Sequence, residues 1–471
     1  MRQIKGFVLL LCLCMMFSPL TTYAAKTPTQ IAEAEKQHIA QHYNPKSMIV
    51  TTQQGQILYD YHQHDNVDPA SITKLMTIYL VLDDIDKGKI KLTDEVKVSG
   101  RYAKMSRIPG LTTFPLIKGK TYTIKQLLKQ GALASSNAAM LVLAEHIDGN
   151  SSDFTHRMNR KAQALHMRHT HFNNPSGADN RLIKPFAPSK YKQQHFSKTT
   201  AKDMAVLTQQ LVKQHPKVLK ITRLTSDKQH GHMLKNTNLS LPAQADGLAG
   251  ADGLKTGTSN HGYNLALTAK QNNLRIHSVL FQVQPFADER AKHVRQQLSN
   301  IMVRRAFKNY DYRKVLSKGQ HRIQGKMYYV KKDLYDVVPK DHKGYQFKIN
   351  HGKYVHLTYQ RSFLPGTHPP KVEVVKVSGM IQPIALKQAT QKKVATPINE
   401  EQFPEYIGDI AVIAQQGNKS PQFEQTQFWK SLNAVKKHRV IKFDVSETQY
   451  NDPISLERQR DIFYKALKAM K

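Results

Sequence analysis

The sequence predicts an α+β protein: an antiparallel sheet flanked by helices, then a small all-β module and an α/β tail. Three observations point there. Two β-prone runs, Ser47 to Thr52 and Gln56 to Tyr61, surround Gln54-Gly55 as a hairpin near the start of the chain. A second pair, Tyr263 to Lys270 and Leu274 to Gln284, closes around Gln271-Asn272-Asn273. Between the hairpins the spacing of apolar residues is mostly helical. A hairpin at each end of a helical middle is best joined into one sheet whose strands come from both ends of the domain.

In chain order, residues 1–25 read as an export signal. Arg2 and Lys5 form a basic start, Phe7 to Phe17 an apolar stretch, and Thr22-Tyr23-Ala24-Ala25 a small-residue cleavage site. Thr27 to Tyr43 is a polar helix or arm. Asp68-Pro69-Ala70-Ser71-Ile72-Thr73-Lys74 then leads into the run Leu75 to Leu82, which is apolar on nearly every side. That pattern predicts a buried helix starting near Pro69 and Ser71. Asp94 to Ser99 is strand-like, and Arg101 to Lys118 reads as an irregular connection. Thr123 to Ala134 is a helix with Thr123 as its cap, Ala138 to Ile147 an apolar helix, and Asp153 to Leu165 an amphipathic one. Asn173-Asn174-Pro175-Ser176-Gly177 is a turn cluster. Residues 180 to 198 are loop-like, Thr199 to Gln214 is helical, and Lys292 to Ala306 closes the domain as a helix.

Short strands and turns fill Tyr310 to Val377. Beyond them, Tyr406 to Ala414 and Val440 to Val445 are strand-like, and Ser455 to Met470 is a final helix. Its Ile462, Phe463, Leu467 and Met470 are expected to pack on the Ile410 to Ile413 strand. The expected domains are therefore 1–25 (signal), 26–306 (catalytic), 307–378 (β-rich) and 379–471 (tail). No stretch after the signal reaches the roughly 18 apolar residues of a membrane span.

The 471 residues carry a net charge of +35. Residues 26–379 hold 54 Lys+Arg against 25 Asp+Glu, whereas Met380 onward holds 14 against 10, which marks a change of segment near 380. An exported chain meets no nucleic acid routinely. The charge points instead to an anionic wall polymer or membrane surface, or to a solvated basic face. Both cysteines, Cys12 and Cys14, lie inside the signal, which removes disulfides and thiol catalysis from the mature chain. His230 and His232, and His166, His169 and His171, have no companion carboxylate at a usual ligand spacing, so no metal and no cofactor is expected.

Three short motifs carry the chemistry. Ser71 and Lys74, three apart, share one face of their helix, a hydroxyl beside an amine. Ser135-Ser136-Asn137 lies at a turn between helical segments, and Lys255-Thr256-Gly257-Thr258 opens the Tyr263 strand region. Ser71 can attack an acyl carbon while a neutral Lys74 takes its proton. Ser135 can relay a proton to a leaving amine, and Asn137 can hold a substrate amide. Lys255 offers a positive charge to a substrate carboxylate, assisted by the hydroxyl of Thr256 or Thr258. Gly257 keeps that strand bare for substrate backbone. Backbone N–H groups of Ser71 and of a residue near Thr258 would hold the oxyanion.

In this order the motifs resemble those of β-lactamases and penicillin-binding proteins, the second matching Ser-Asp-Asn only at its outer positions. Further matching stretches are Asn66 to Met76, Ser152-Asp153-Phe154, Thr170 to Gly177, Asp252 to Gly257, Val315 to Gly319 and Tyr328 to Val338. Over roughly residues 30 to 377 the chain resembles low-molecular-mass penicillin-binding proteins of the D-alanyl-D-alanine carboxypeptidase type, particularly those of Gram-positive cocci. The resemblance implies a serine DD-peptidase/β-lactamase-like domain in the cell envelope, acting on the D-Ala-D-Ala end of peptidoglycan stem peptides. It implies an acyl-enzyme on Ser71, resolved by water or by another stem's amine, and acylation of the same serine by β-lactam antibiotics.

Two departures stand out. Such proteins usually end in a membrane anchor after the β module, and none is seen here. Instead, Glu405 to Val412, Phe428 to Val435 and Tyr450 to Glu457 resemble the carboxyl-terminal end of iron-siderophore-binding lipoproteins. That stretch covers part of one lobe, too little for a binding cleft, and reads as a fusion or a rearranged gene end. A secreted β-lactamase is the nearest rival function, but it needs a deacylating glutamate on a loop. Glu145 lies in an apolar helix and the next glutamate is Glu289. A non-catalytic wall- or siderophore-binding module is the other rival; the presence of every reactive residue weighs against it.

Overall fold

Thr27 caps α1 (Pro28–Ala34) through a reciprocal bond with Gln30. The computed structural model describes residues 26–342, 344–377, 411–415, 429–430, 432–444 and 465. The expected signal, most of the tail and its final helix lie outside the described residues. β1 (Ser47–Thr52) and β2 (Gln56–Tyr61) form the first hairpin. The Ser71 segment begins as a 3-10 turn, Ala70–Thr73, and only then becomes α2 (Lys74–Asp86). The α-helix thus starts later than Pro69 and Ser71 suggested, because the Asp68 carboxylate accepts the Ala70 N–H at 2.8 Å and Ala70 takes a positive φ of 44°.

The helical middle follows as β3 (Glu95–Lys97), α3 (Gly100–Met105), β4 (Thr121–Thr123), α4 (Ile124–Ala132), α5 (Asn137–Asp148), α6 (Ser151–Ala164) and α7 (Ala201–Gln214). Thr123 caps α4 as expected, again with a reciprocal glutamine. α3 stands where an irregular connection was expected; Ser99 caps it, and the helix is too short to show a period. The short α8 (Leu219–Thr222) and the hairpin of β5 (Ser226–Gln229) and β6 (His232–Lys235) were also not anticipated. His230 and His232 therefore belong to a hairpin, where their rings lie against Tyr122 and Phe114.

The Lys255 motif lies inside its own strand, β7 (Ala251–Ser259), ahead of β8 (Gly262–Gln271) and β9 (Leu274–Val283). α9 (Glu289–Asn309) closes the domain. Four short strands come next: β10 (Tyr310–Leu316), β11 (Gly319–Ile323), β12 (Lys326–Val330) and β13 (Leu334–Pro339). They are followed by β14 (Gln346–Asn350), β15 (Tyr354–Thr358), β16 (Ser362–Phe363) and β17 (Lys371–Lys376).

The main sheet is antiparallel with strand order β16-β2-β1-β9-β8-β7. Its strands come from both ends of the domain, as the two hairpins required. Side chains alternate across it. Ala266, Val279 and Phe281 join Ile49 and the α2–α7 helices in one core, while Leu265, Leu267, Leu280, Met48 and Val50 join α1 and α9 in another. β1 is consequently buried along its whole length.

The division of the chain differs from a boundary at 306/307. One compact unit runs to Leu316 and regains Leu334–Gln346 and Leu357–Lys371; the other comprises Ser317–Asp333, Phe347–His356 and Val372 onward. In the first unit β10 pairs with β13, β16 extends the main sheet, and Arg361 meets the fully buried Asp336 at 2.6 Å. β texture in a sequence marks strands without marking their sheet, so these segments read as parts of one module. The second unit is built on a five-stranded sheet, order β11-β12-β17-β15-β14. In the tail, β18 (Ala411–Gln415) and β19 (Val440–Asp444) pair in parallel, the arrangement of an α/β segment.

Candidate active site

Ser71 and Lys74 meet at the junction of the 3-10 turn with α2. The Lys74 Nζ lies 2.8 Å from Ser71 Oγ, 2.6 Å from Asn137 Oδ1 and 2.7 Å from the Ser176 carbonyl. Lys74 is 0 % exposed. Burial, and then the positive charge of Lys255, push its pKa well below the ordinary 10.5. A neutral amine has two N–H donors and one lone pair. The two pure acceptors, Asn137 Oδ1 and the Ser176 carbonyl, take the donors; the lone pair is left for the Ser71 hydroxyl proton.

Asn137 opens α5, whose cap is Ser136 through a bond from the Ala139 N–H at 3.2 Å. Its Nδ2 donates to the Thr112 carbonyl at 2.7 Å, which fixes the orientation of the amide and aims Oδ1 at Lys74. Each end of this side chain thus has a partner within the protein, and the Thr112 carbonyl takes one of the two Nδ2 hydrogens, so the bond leaves room for the substrate amide that the sequence suggested. Ser135, 5 % exposed, sits just before the cap with φ 59°. Ser136 is turned away, bonding Phe114 N and Ala139 N.

β7 supplies a second wall. Lys255 is 1 % exposed, donates to the Thr256 carbonyl at 2.9 Å, and has its pKa lowered to about 7 by burial and by Arg295. The Thr256 hydroxyl is shared with that of Thr237 at 2.6 Å. Thr258 is exposed, so of the two threonines it is the one whose hydroxyl is open to a ligand. A Cβ on Gly257 would lie 3.1 Å from both Ile72 Cγ1 and the Pro69 carbonyl and 3.2 Å from Asn264 Cβ. Its bareness therefore lets β7 pack against the Ser71 turn, a different reason from the substrate approach that the sequence suggested.

Several residues in this arrangement were not singled out from sequence. Ser176 contributes only a carbonyl. Asn174 shapes its loop by accepting from the N–H groups of Ser176 and Gly177 through one oxygen, at 2.9 and 2.8 Å. Gly177, at φ 72°, passes so close that a Cβ would lie 2.0 Å from the Ala70 carbonyl. Asn264 on β8 donates to the Asp68 and Pro69 carbonyls at 3.0 and 3.3 Å, pinning the Ser71 turn to the sheet. Arg295 on α9, 2 % exposed, donates to the Gly257 carbonyl at 3.0 Å. The turn Asn173–Gly177 was visible as a turn; nothing in its residue types said that a backbone carbonyl from it would reach Lys74. Glu145 accepts from the Tyr102 hydroxyl and pairs with Arg101.

Comparison with known proteins finds matches over the part of the chain that carries these residues. The sequence profile of the D-alanyl-D-alanine carboxypeptidase family matches residues 29–284, and one described as a domain of unknown function matches 312–375. The D-alanyl-D-alanine carboxypeptidase DacF of Bacillus subtilis is 33 % identical over 248 residues, which is 51 % of this chain and 57 % of that protein. DacA of Haemophilus influenzae is 28 % identical over 312 residues, 64 % of this chain and 69 % of that one. The alignment thus spans little more than half of the DacF relative. Among solved structures, a peptidoglycan synthesis regulatory factor (PBP3) from Streptococcus pneumoniae superposes with a TM-score of 0.61 at 26 % identity, covering 71 % of this chain and 99 % of the other.

Proposed function

The chain belongs to the D-alanyl-D-alanine carboxypeptidase family, and from that premise we propose that it is a serine-type carboxypeptidase acting on the D-Ala-D-Ala end of peptidoglycan stem peptides. The observation that carries the reading is the hydrogen-bond set of Lys74: fully buried, with two fixed acceptors and one hydroxyl. In that setting Lys74 withdraws the Ser71 proton as Oγ attacks the scissile carbonyl. The acyl–oxygen bond forms on Ser71, the terminal D-Ala leaves with a proton relayed through Ser135, and water or another stem's amine releases the acyl group. Charged Lys255, with the Thr258 hydroxyl, receives the substrate's terminal carboxylate. Asn137 positions Lys74, while Thr256 and Gly257 hold the β7 wall. β-Lactam antibiotics would acylate Ser71 by the same route and stay attached, because no glutamate accompanies Lys74 among its described partners.

The wider setting belongs to the same proposal. Residues 1–25 would export the chain to the cell envelope, where the reaction contributes to wall construction and cell shape. Its excess positive charge would favour anionic wall polymers or the membrane surface. The likeness to enzymes of Gram-positive cocci, and that of residues 379–471 to the end of a siderophore-binding lipoprotein, rest on the sequence stretches given above. The deciding experiment incubates the mature chain with diacetyl-L-Lys-D-Ala-D-Ala, with and without an added D-amino acid, and measures free D-Ala and exchanged product together. Release that vanishes in Ser71→Ala supports the reading; release that persists there overturns it.

A further inference from the structure

A second concavity, of about 670 Å³, lies between the C-terminal end of α2, the helix α4 and the α8 segment. None of the motif residues lines it. Its apolar wall is Leu82, Ile85, Leu92, Ile221 and Leu224, the first and fourth buried and the others half-buried. Its volume falls in the range of about 300–1,000 Å³ usual for small-molecule sites. The charged lining is one-sided. Asp86 is held by His215 at 2.7 Å and Lys129 by Asp227 at 2.7 Å. Lys125, Lys217 and Lys220 also line the cavity, are exposed, and make no ion pair or side-chain hydrogen bond among the described residues.

An apolar trough rimmed by three uncompensated ammonium groups is complementary to one chemistry, an alkyl chain that ends in an anion. We propose that this cleft binds a monomeric single-chain alkyl anion, its chain along Leu82, Ile85 and Leu224 and its carboxylate or phosphate among Lys125, Lys217 and Lys220. A bilayer is a poorer fit. Insertion into a membrane needs apolar side chains that protrude, and among the described residues none of the large exposed hydrophobic side chains lines this cleft.

The test titrates the full mature chain with dodecyl phosphate below its micelle concentration, by calorimetry. Parallel titrations use inorganic phosphate, uncharged dodecyl maltoside and anionic phosphatidylglycerol vesicles. Saturable one-site binding of dodecyl phosphate, with no heat from inorganic phosphate and at least about tenfold weaker binding of the maltoside, is the expected result. The triple variant Lys125→Glu/Lys217→Glu/Lys220→Glu should lose about tenfold or more in affinity with an unchanged melting temperature, since all three side chains are exposed. Ile85→Gln should weaken binding from the apolar side. Should that variant fold poorly, the lysine variant still decides. Equal binding of maltoside and phosphate, indifference to the charge reversal, no saturable binding, or binding to vesicles alone would each overturn the proposal.

Discussion

Lys74 and Lys255 are buried to the same degree, 0 % and 1 % exposed, on two walls of one site, yet they are held differently. Lys74 is surrounded by fixed partners from three segments: the Ser71 turn, the start of α5 and the Asn173–Gly177 loop. Among the described residues Lys255 has one, the carbonyl of its own neighbour Thr256. A neutral amine is fully satisfied by the first arrangement, while an ammonium ion in the second still has donors to give. The pKa directions agree. Lys74 is pushed well below 10.5, partly by Lys255 itself, whereas Lys255 comes to about 7, where a nearby anion readily restores its charge. On the proposed function, one wall is therefore finished as a base, and the other would be completed by a substrate carboxylate.

The sharpest way to break this contrast is to remove the base. Lys74→Ala should slow acylation of Ser71 by fluorescent penicillin by about 10²–10⁴-fold, the range of general-base contributions. Gel-based labelling time courses measure it, and an unchanged rate would take Lys74 out of the reaction. Lys255→Ala should cost less, about ten- to hundredfold, because it removes one charge-assisted contact of about 1.5–3 kcal/mol. Its loss should appear in KM for the stem peptide more than in kcat. A collapse of melting temperature with normal kinetics per folded molecule would make Lys255 a structural residue.

A third variant tests how the walls are spaced. Gly257→Ala places a methyl 3.1 Å from Ile72 and from the Pro69 carbonyl, so β7 or the Ser71 turn has to give. The expected destabilisation is about 1–3 kcal/mol, read by urea titration, together with slower acylation. If stability falls and acylation does not, the spacing of the walls is looser than the packing implies. The smallest effect belongs to the tail. Deleting 380–471 should leave the acylation rate unchanged, since every motif residue precedes it. A roughly tenfold fall, about 1.4 kcal/mol of barrier, would place a functional contribution in the tail.

How far the sequence reaches differs between the two walls. Ser71, Lys74, Asn137 and Lys255 were legible because their chemistry resides in side chains at fixed spacing. The long helices were legible because α6, α7 and α9 span enough turns to show a helical pattern, and α2 and α5 stand out as apolar runs. The Ser176 and Thr112 carbonyls were not, because a backbone acceptor leaves no trace in residue type. Asn264 and Arg295 were hidden for a related reason. Their partners are carbonyls of the Ser71 turn and of β7, and only the folded sheet brings them there. Gly257 was found but misread, since a bare strand looks the same from sequence whether it faces substrate or a neighbouring turn. The six-residue α3 and the four-residue α8 were missed because neither completes two turns. The stretch 310–377 was recognisable as short strands and turns, but the sheets that β13 and β16 join are set by tertiary pairing such as Arg361 with Asp336.

The contrast between the two lysines is tested most directly by the second-order rate of penicillin acylation from pH 5 to pH 10, compared with Lys255→Arg. The proposed mechanism requires Lys74 neutral and Lys255 charged for acylation. The rate should therefore be substantial well below the ordinary lysine range and should fall as pH rises through about 7, where Lys255 in the free enzyme loses its proton. Arginine keeps its charge throughout, so Lys255→Arg should lose this basic limb even at a lower absolute rate. A rate that climbs steadily toward pH 10 in both proteins would mean that Lys74 titrates as an ordinary lysine, and would contradict the account.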